Sequence, residues 1–253
     1  MPAIIEPPVL PKRLYRYRTL NPRDGDADQG VVLVREIAAI KKRYLWCSSF
    51  ERLNDPMEGV FRPSTNLRHD PGFEIVAEKL YRKKAAFGIA CFSDTRRNEL
   101  MWTHYAGNYS GICIAYRAED LVAGLPDGCS LVRLGYDDRP PRLPTARDLE
   151  RAVVAVLSQK KSNWAYEREW RVLAMMSPGE EFGTQVAIRR RCITHVYLGS
   201  RIEKDHKKRL LKELRDTGIA VSQMEVCDYR HNWKVLRRGE IGVHDRTDEY
   251  DRW

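Results

Sequence analysis

Three observations predict an α+β fold, a single mixed domain of mainly antiparallel strands with flanking helices spanning residues 1–253. Runs that alternate like strands outnumber those with helical periodicity. The two kinds do not alternate regularly, as they would in a doubly wound parallel sheet. At 253 residues the chain can build one large domain or two small ones, and the absence of an internal repeat or low-complexity linker favours one.

The first strand is RLYRYR, with Tyr15 and Tyr17 on one face and Arg16 and Arg18 on the other. A Pro-, Gly- and Asp-rich loop follows, and Leu33, Ile37 and Ile40 then recur at helical spacing to about Lys42. YLWCSSF is a strand and ERLNDPMEG the loop that leaves it. FEIVAEKLYRKK reads as a helix, AFGIACFS as a strand ending at Ser93, and NELMWTHYA as a short helix capped by Asn98. YSGICIAY and SLVRLGY are further strands, and Thr145 caps a helix over ARDLERAVVAVLSQKK. After WAYEREWRV come TQVAIR and CITHVYLG, the helix EKDHKKRLLKELRDT, the strand IAVSQMEV and a final WKVLR. The polar tail from about residue 241 has no core role.

A net charge of +9 favours an acidic partner, a nucleic acid or a phosphate-bearing ligand, although solvated helix faces such as EKDHKKRLLKELRD account for part of it. No long uncharged apolar run could span a bilayer, which argues against a membrane partner. Prolines and charges stand at the start where an export signal needs its apolar segment, so the expected compartment is the cytoplasm. Six scattered cysteines suit reduced thiols better than a disulfide framework.

The stretch WAYEREWRV raises the functional question, because it sets four charges among residues that otherwise read as a buried strand. If residues 165–173 are extended, Glu167, Glu169, Arg171 and Leu173 share one face. Two carboxylates roughly 6 to 7 Å apart can then act on one small ligand. A row of ionised groups in a core is costly, so this face must line a cleft or be paired. The competing reading is a salt-bridge ladder in which Arg171 and Arg16 neutralise the glutamates.

Other polar residues stand out against apolar surroundings. Ser93 sits at a strand mouth, or serves as a turn residue. His104 is a base, a phosphate ligand or a hydrogen-bonded structural residue beside Trp102. Asn54, Asp55 and Glu58 surround a proline in a loop, where binding residues concentrate but where Asn-Asp-Pro also starts ordinary turns. Cys192 with His195 and Cys227 with His231 lack the geometry of a zinc knuckle, and no metal site is expected there. No glycine loop for phosphate and no nucleophile elbow occurs.

Taken in order, LYRYR, FERLNDPMEG, CFSDT, LMWTHYAGNYSGICIAY and WAYEREWRV closely resemble an uncharacterised bacterial family, the domain-of-unknown-function family twenty-nine seventy-one. More remotely, a basic residue on the first strand, a Ser at the end of a middle strand and a late Glu-x-Glu are similar to the layout of ADP-ribosyltransferases, which cleave NAD at its nicotinamide glycosidic bond. That resemblance implies a split or two-sheet core. It implies that NAD is the substrate and that a nucleic acid or protein accepts the ADP-ribose, in bacterial defence or toxin action. Glu169 would stabilise the positive charge that develops on the ribose, and Glu167 would orient or deprotonate the acceptor. Arg16 would pair with the pyrophosphate, Ser93 would supply the middle-strand hydroxyl, and Tyr105 or Trp102 would stack on nicotinamide. Two other functions fit the residues. One is a non-catalytic nucleotide or nucleic-acid binding module; the other is a nuclease or nucleotide hydrolase with a metal held by Asp55, Glu58 and Glu167.

Overall fold

The computed structural model describes residues 9–21, 30–143, 149–180 and 182–239. The polar tail and the expected cap Thr145 lie outside the described residues. In chain order the first elements are β1 (Arg13–Arg18), α1 (Val31–Lys42), β2 (Tyr44–Ser49), β3 (Arg62–Pro63), α2 (Thr65–Arg68) and α3 (Phe73–Ala85). Next come β4 (Phe87–Ser93), α4 (Glu99–Tyr105), β5 (Ile112–Arg117), α5 (Ala118–Val122), β6 (Cys129–Arg133) and β7 (Gly135–Tyr136). They are followed by β8 (Arg142–Leu143), α6 (Leu149–Leu157), β9 (Gln159–Lys160), β10 (Glu169–Met175), β11 (Gly183–Ala187) and β12 (Ile193–Leu198). The last are α7 (Lys204–Glu213), β13 (Ala220–Cys227) and β14 (Arg230–Arg237). The fold is α+β and its longer pairings are mainly antiparallel.

Contacts divide the chain into two compact units. Among the described residues the first takes 9–10, 44–94 and 124–187, and the second takes 11–43, 95–123 and 188–239.

In the first unit five strands run antiparallel in the order β11-β2-β4-β10-β6. Helices α3 and α6 bury their apolar stripes with Ile89 and Leu173 of the two central strands, and Leu80, Val153, Val156 and Leu157 complete that core. Burying each such side chain contributes about 1.5–3 kcal/mol. The β4–β10 register sets Glu169 opposite Ser93 and Arg171 opposite Cys91.

The second unit is a five-stranded sheet in the order β1-β5-β12-β13-β14. All its pairs are antiparallel except β12–β13, which α7 connects as a crossover. Asn98 caps α4 as the sequence suggests, its side chain accepting a hydrogen bond from the Met101 N–H at 3.2 Å. After α4, Gly107, Asn108 and Tyr109 are all left-handed. Tyr109 is held there by stacking on Trp102, with ring centroids 6.1 Å apart.

Two expectations need correction. The helix predicted through residue 161 ends at Leu157, because the carbonyls of Ser158 and Lys160 accept the N–H groups of Gly135 and Asp137 and draw the chain into β9. The predicted strand over 165–173 starts only at Glu169. Residues 162–167 form a 3-10 turn that ends at Arg168, in the left-handed region at φ 47°.

Candidate functional site

The charges of WAYEREWRV belong to a buried network in the first unit. Arg171 projects from β10 on the same face as Glu169 and grips its carboxylate with two donors, Nε to Oε1 at 2.7 Å and Nη2 to Oε2 at 3.1 Å. Its Nη1 donates to the Leu157 carbonyl at the end of α6, and Nη2 also meets Glu58 Oε2 at 2.5 Å. Lys160 of β9 is the second cation. Its ammonium lies 2.7 Å from Glu167, 3.2 Å from Glu58 and 3.4 Å from Glu169, over the ring of Trp164.

Each of these five side chains is 4 % exposed or less. Three carboxylates face two cations, so the network is one positive charge short of neutral among its own members. Burial alone would push Glu169 up, but Arg171 and Lys160 outweigh it and hold the carboxyl at about 2. The Lys160 ammonium, which burial would discharge, is raised instead by Glu169, Glu58 and Glu167. Burial and the neighbouring Glu169 carboxylate push the Cys91 thiol up.

Local structure sets each position. Left-handed Arg168 reverses the chain after the 3-10 turn, so Glu167 and Glu169 approach Lys160 from adjoining segments instead of from one flat strand face. The Glu169 N–H donates to the Tyr136 hydroxyl at 2.7 Å, tying β10 to β7. Glu58 arrives on a loop turned by Asp55, whose Oδ1 accepts the Met57 N–H at 2.9 Å. The loop ends at left-handed Gly59, whose carbonyl accepts from buried Lys84.

Glu58 and Lys160 also line a cavity of about 230 Å³ in the same unit. Asp55, Arg62, Asp137, Asp138 and Lys161 contribute the other charges to its wall. Glu167 and Glu169 are not part of that wall; they lie behind Lys160.

Of the residues singled out in the sequence, Glu167, Glu169 and Ser93 therefore come together, Ser93 fully buried across from Glu169. Asn54 is exposed on the loop before Asp55 and does not line the cavity. Arg16, Trp102, His104 and Tyr105 belong to the second unit. There Arg16 lies buried near Glu36 and Tyr116. Trp102 is fully buried, packed by Tyr17, Tyr109 and Trp233, so stacking on a ligand would require one of these rings to move. His104 is exposed, with its ring 6.3 Å from that of Tyr105.

Lys160 is the member that sequence reasoning missed. The visible signal was a lysine following an apolar helix just where a structural partner for Glu-x-Glu was needed. Glu58 and Glu167, two of the three acids of the metal-dependent reading, both contact the Lys160 ammonium. Among the described residues no group of three or more His, Cys, Asp or Glu is arranged to hold a metal ion, and no helix is long and apolar enough to cross a membrane.

Four of the five network residues fall in one stretch of sequence that has a family model. Residues 101–172 match the family described as protein of unknown function, DUF2971. The DUF2971 stretch runs from α4 to β10 and carries Lys160, Glu167, Glu169 and Arg171, whereas Glu58 lies outside it. No curated protein and no solved structure matches the chain.

Proposed function

We propose that the first unit binds NAD at the cavity beside Lys160 and cleaves its nicotinamide glycosidic bond against Glu169, passing ADP-ribose to an acceptor. The observation that carries this reading is the double position of Lys160, which lines the cavity and also contacts Glu169, at 3.4 Å the longest of its three ion pairs. A pyrophosphate in the cavity would compete with the carboxylates for this ammonium, helped by Lys161 and Arg62 on the same wall. In this reading Lys160 swings toward the phosphates and uncovers Glu169 behind it, whose two oxygens Arg171 continues to hold in place.

Glu169 has the character the step needs. Held at about 2, it is ionised at neutral pH, and a fixed carboxylate stabilises the cationic sugar that forms as the C1′–N bond breaks and nicotinamide leaves with the electron pair. Ser93, its cross-strand neighbour, supports the likeness to the ADP-ribosyltransferase layout. In this reading Glu167 holds Lys160, and the pyrophosphate role expected of Arg16 passes to the cations of the cavity.

The test is nicotinamide release from NAD by the wild type and by Glu169→Gln, with melting temperatures measured in parallel. Release by the wild type that falls at least about 100-fold in a folded variant supports the reading, since a lost transition-state contact of a few kcal/mol costs that much. No release by the folded wild type overturns it.

A second reading has its own observation. Both oxygens of Glu169 already touch cations and its side chain is 4 % exposed, as expected of a structural ladder inside a non-catalytic nucleotide or nucleic-acid binding module. Saturable nucleotide binding without turnover is the result that selects it.

A further inference from the structure

The positive excess of the chain is unevenly placed. The described residues of the second unit hold 25 Lys and Arg against 10 Asp and Glu, whereas those of the first unit hold 15 against 14. Within the second unit three segments converge. The Ile188 N–H donates to the Arg43 carbonyl at the end of α1, Arg43 Nη2 donates to the Thr217 carbonyl beyond α7, and Lys41 pairs with Glu213 of α7 at 2.8 Å. Lys41, Lys42, Arg43, the exposed run Arg189–Arg191, Lys212 and Arg215 thus share one edge.

Glu213 is the acid that this edge engages, through Lys41. Among the described residues no carboxylate forms an ion pair with Lys42, Arg189, Arg190, Arg191 or Arg215, while Lys212 adds to the pull of Lys41 on Glu213. Positive charge remains in excess, and Arg190 stands close enough to Arg43 to oppose its charge. Lysines in the last turn of α1 and α7 complement the helix dipoles, which accounts for Lys41, Lys42 and Lys212. That argument does not reach three consecutive arginines in the turn before β12.

We infer that this edge, built from the C-terminal ends of α1 and α7 and the Arg189–Arg191 turn, binds the phosphodiester backbone of a nucleic acid. Closely spaced guanidinium and ammonium groups that outnumber their acidic partners match a line of phosphates, and each contact releases condensed counterions. A lipid surface fits less well. Membrane-binding segments pair their basic residues with apolar ones that enter the bilayer, and none of the exposed large hydrophobic side chains falls within residues 41–43, 189–191 or 212–215. The inference does not depend on NAD turnover, and its test contains no NAD.

The experiment measures fluorescence anisotropy of a labelled duplex DNA and a single-stranded RNA of equal length, titrated with the full chain across a series of KCl concentrations. The variant Lys42→Glu/Arg189→Glu/Arg191→Glu is compared with Arg68→Glu/Lys79→Glu/Arg133→Glu, which makes the same charge change at exposed positions of the first unit. Melting curves confirm that both are folded. The edge variant is expected to bind at least about 10-fold more weakly than wild type, with a salt slope on the duplex smaller by roughly two to three, while the control changes affinity by less than about 3-fold. Equal losses in the two variants overturn the inference, as does a wild type that binds neither nucleic acid at low salt. Wild-type binding to phosphatidylserine vesicles but to neither nucleic acid also overturns it, in favour of a membrane.

Discussion

Arg171 follows Glu169 by two residues on one strand, and its guanidinium holds both oxygens of that carboxylate, at 2.7 and 3.1 Å, in a place almost free of solvent. Truncating one partner strands the other. Arg171→Leu leaves Glu169 and Glu58 short of a cation and is expected to destabilise the fold by about 3–5 kcal/mol in urea titrations. Glu169→Gln combined with Arg171→Leu is expected to cost less than the two single changes together. Strict additivity would mean that the pair is not coupled.

Acid sensitivity follows from the same carboxylate. Glu169 ionises at about 2 in the fold against 4.5 ordinarily, so its charge stabilises the native state above about pH 4.5. That contribution fades as pH falls from 4.5 toward 2 and totals about 3 kcal/mol. Urea titrations between pH 7 and 3 should show a flatter acid limb for Glu169→Gln than for wild type; parallel curves would place the acid response elsewhere.

His195 provides a second pH signature, in the second unit. Burial, with Arg96 and Arg13 nearby, pulls its imidazole down to about 3 while Nε2 meets the Ser222 hydroxyl at 2.9 Å. The unfolded chain takes up this proton below about pH 6.5 and the fold does not, so stability declines as pH drops from there toward 3. NMR of the imidazole should find it neutral at pH 5, and an imidazolium signal at that pH would contradict the prediction.

Gly111 and Gly199 let two turns meet backbone to backbone, and the Gly199 N–H donates to the Gly111 carbonyl at 2.9 Å. A Cβ on Gly111 would come within 2.2 Å of the Arg18 carbonyl, and one on Gly199 within 2.0 Å of the Tyr109 carbonyl. Either Gly→Ala change should lower stability by roughly 3 kcal/mol or more, well beyond the typical effect of a point substitution. Gly135→Ala, with nothing within 4 Å of its Cβ, is the matched control and should melt close to wild type.

Much of this architecture was legible in the amino-acid pattern. The Leu33, Ile37, Ile40 spacing located α1 and alternation suits β2, which bury one regular face, whereas β1, β4 and β12 are buried on both faces and were legible as short apolar or aromatic runs bounded by turn residues. The two-residue strands β7 and β9 have no period to read, and β9 is where Lys160 sits. The extended reading of residues 165–168 failed for a related reason: aromatic and charged residues alternate there as in a strand, but left-handed Arg168 breaks the segment. The network itself joins Glu58 to Lys160 across about a hundred residues of chain, a tertiary relationship that local spacing does not encode.

The six cysteines have a practical consequence. None is paired; Cys47, Cys113 and Cys192 are buried, Cys91 and Cys129 are partly covered, and Cys227 alone is exposed, where β13 turns into β14. Burial pushes the Cys91, Cys113, Cys129 and Cys192 thiols up and encloses Cys47, so a maleimide dye should attach to native protein at one position without any cysteine being engineered away. A chromophore coupled there offers a ready optical handle on that hairpin.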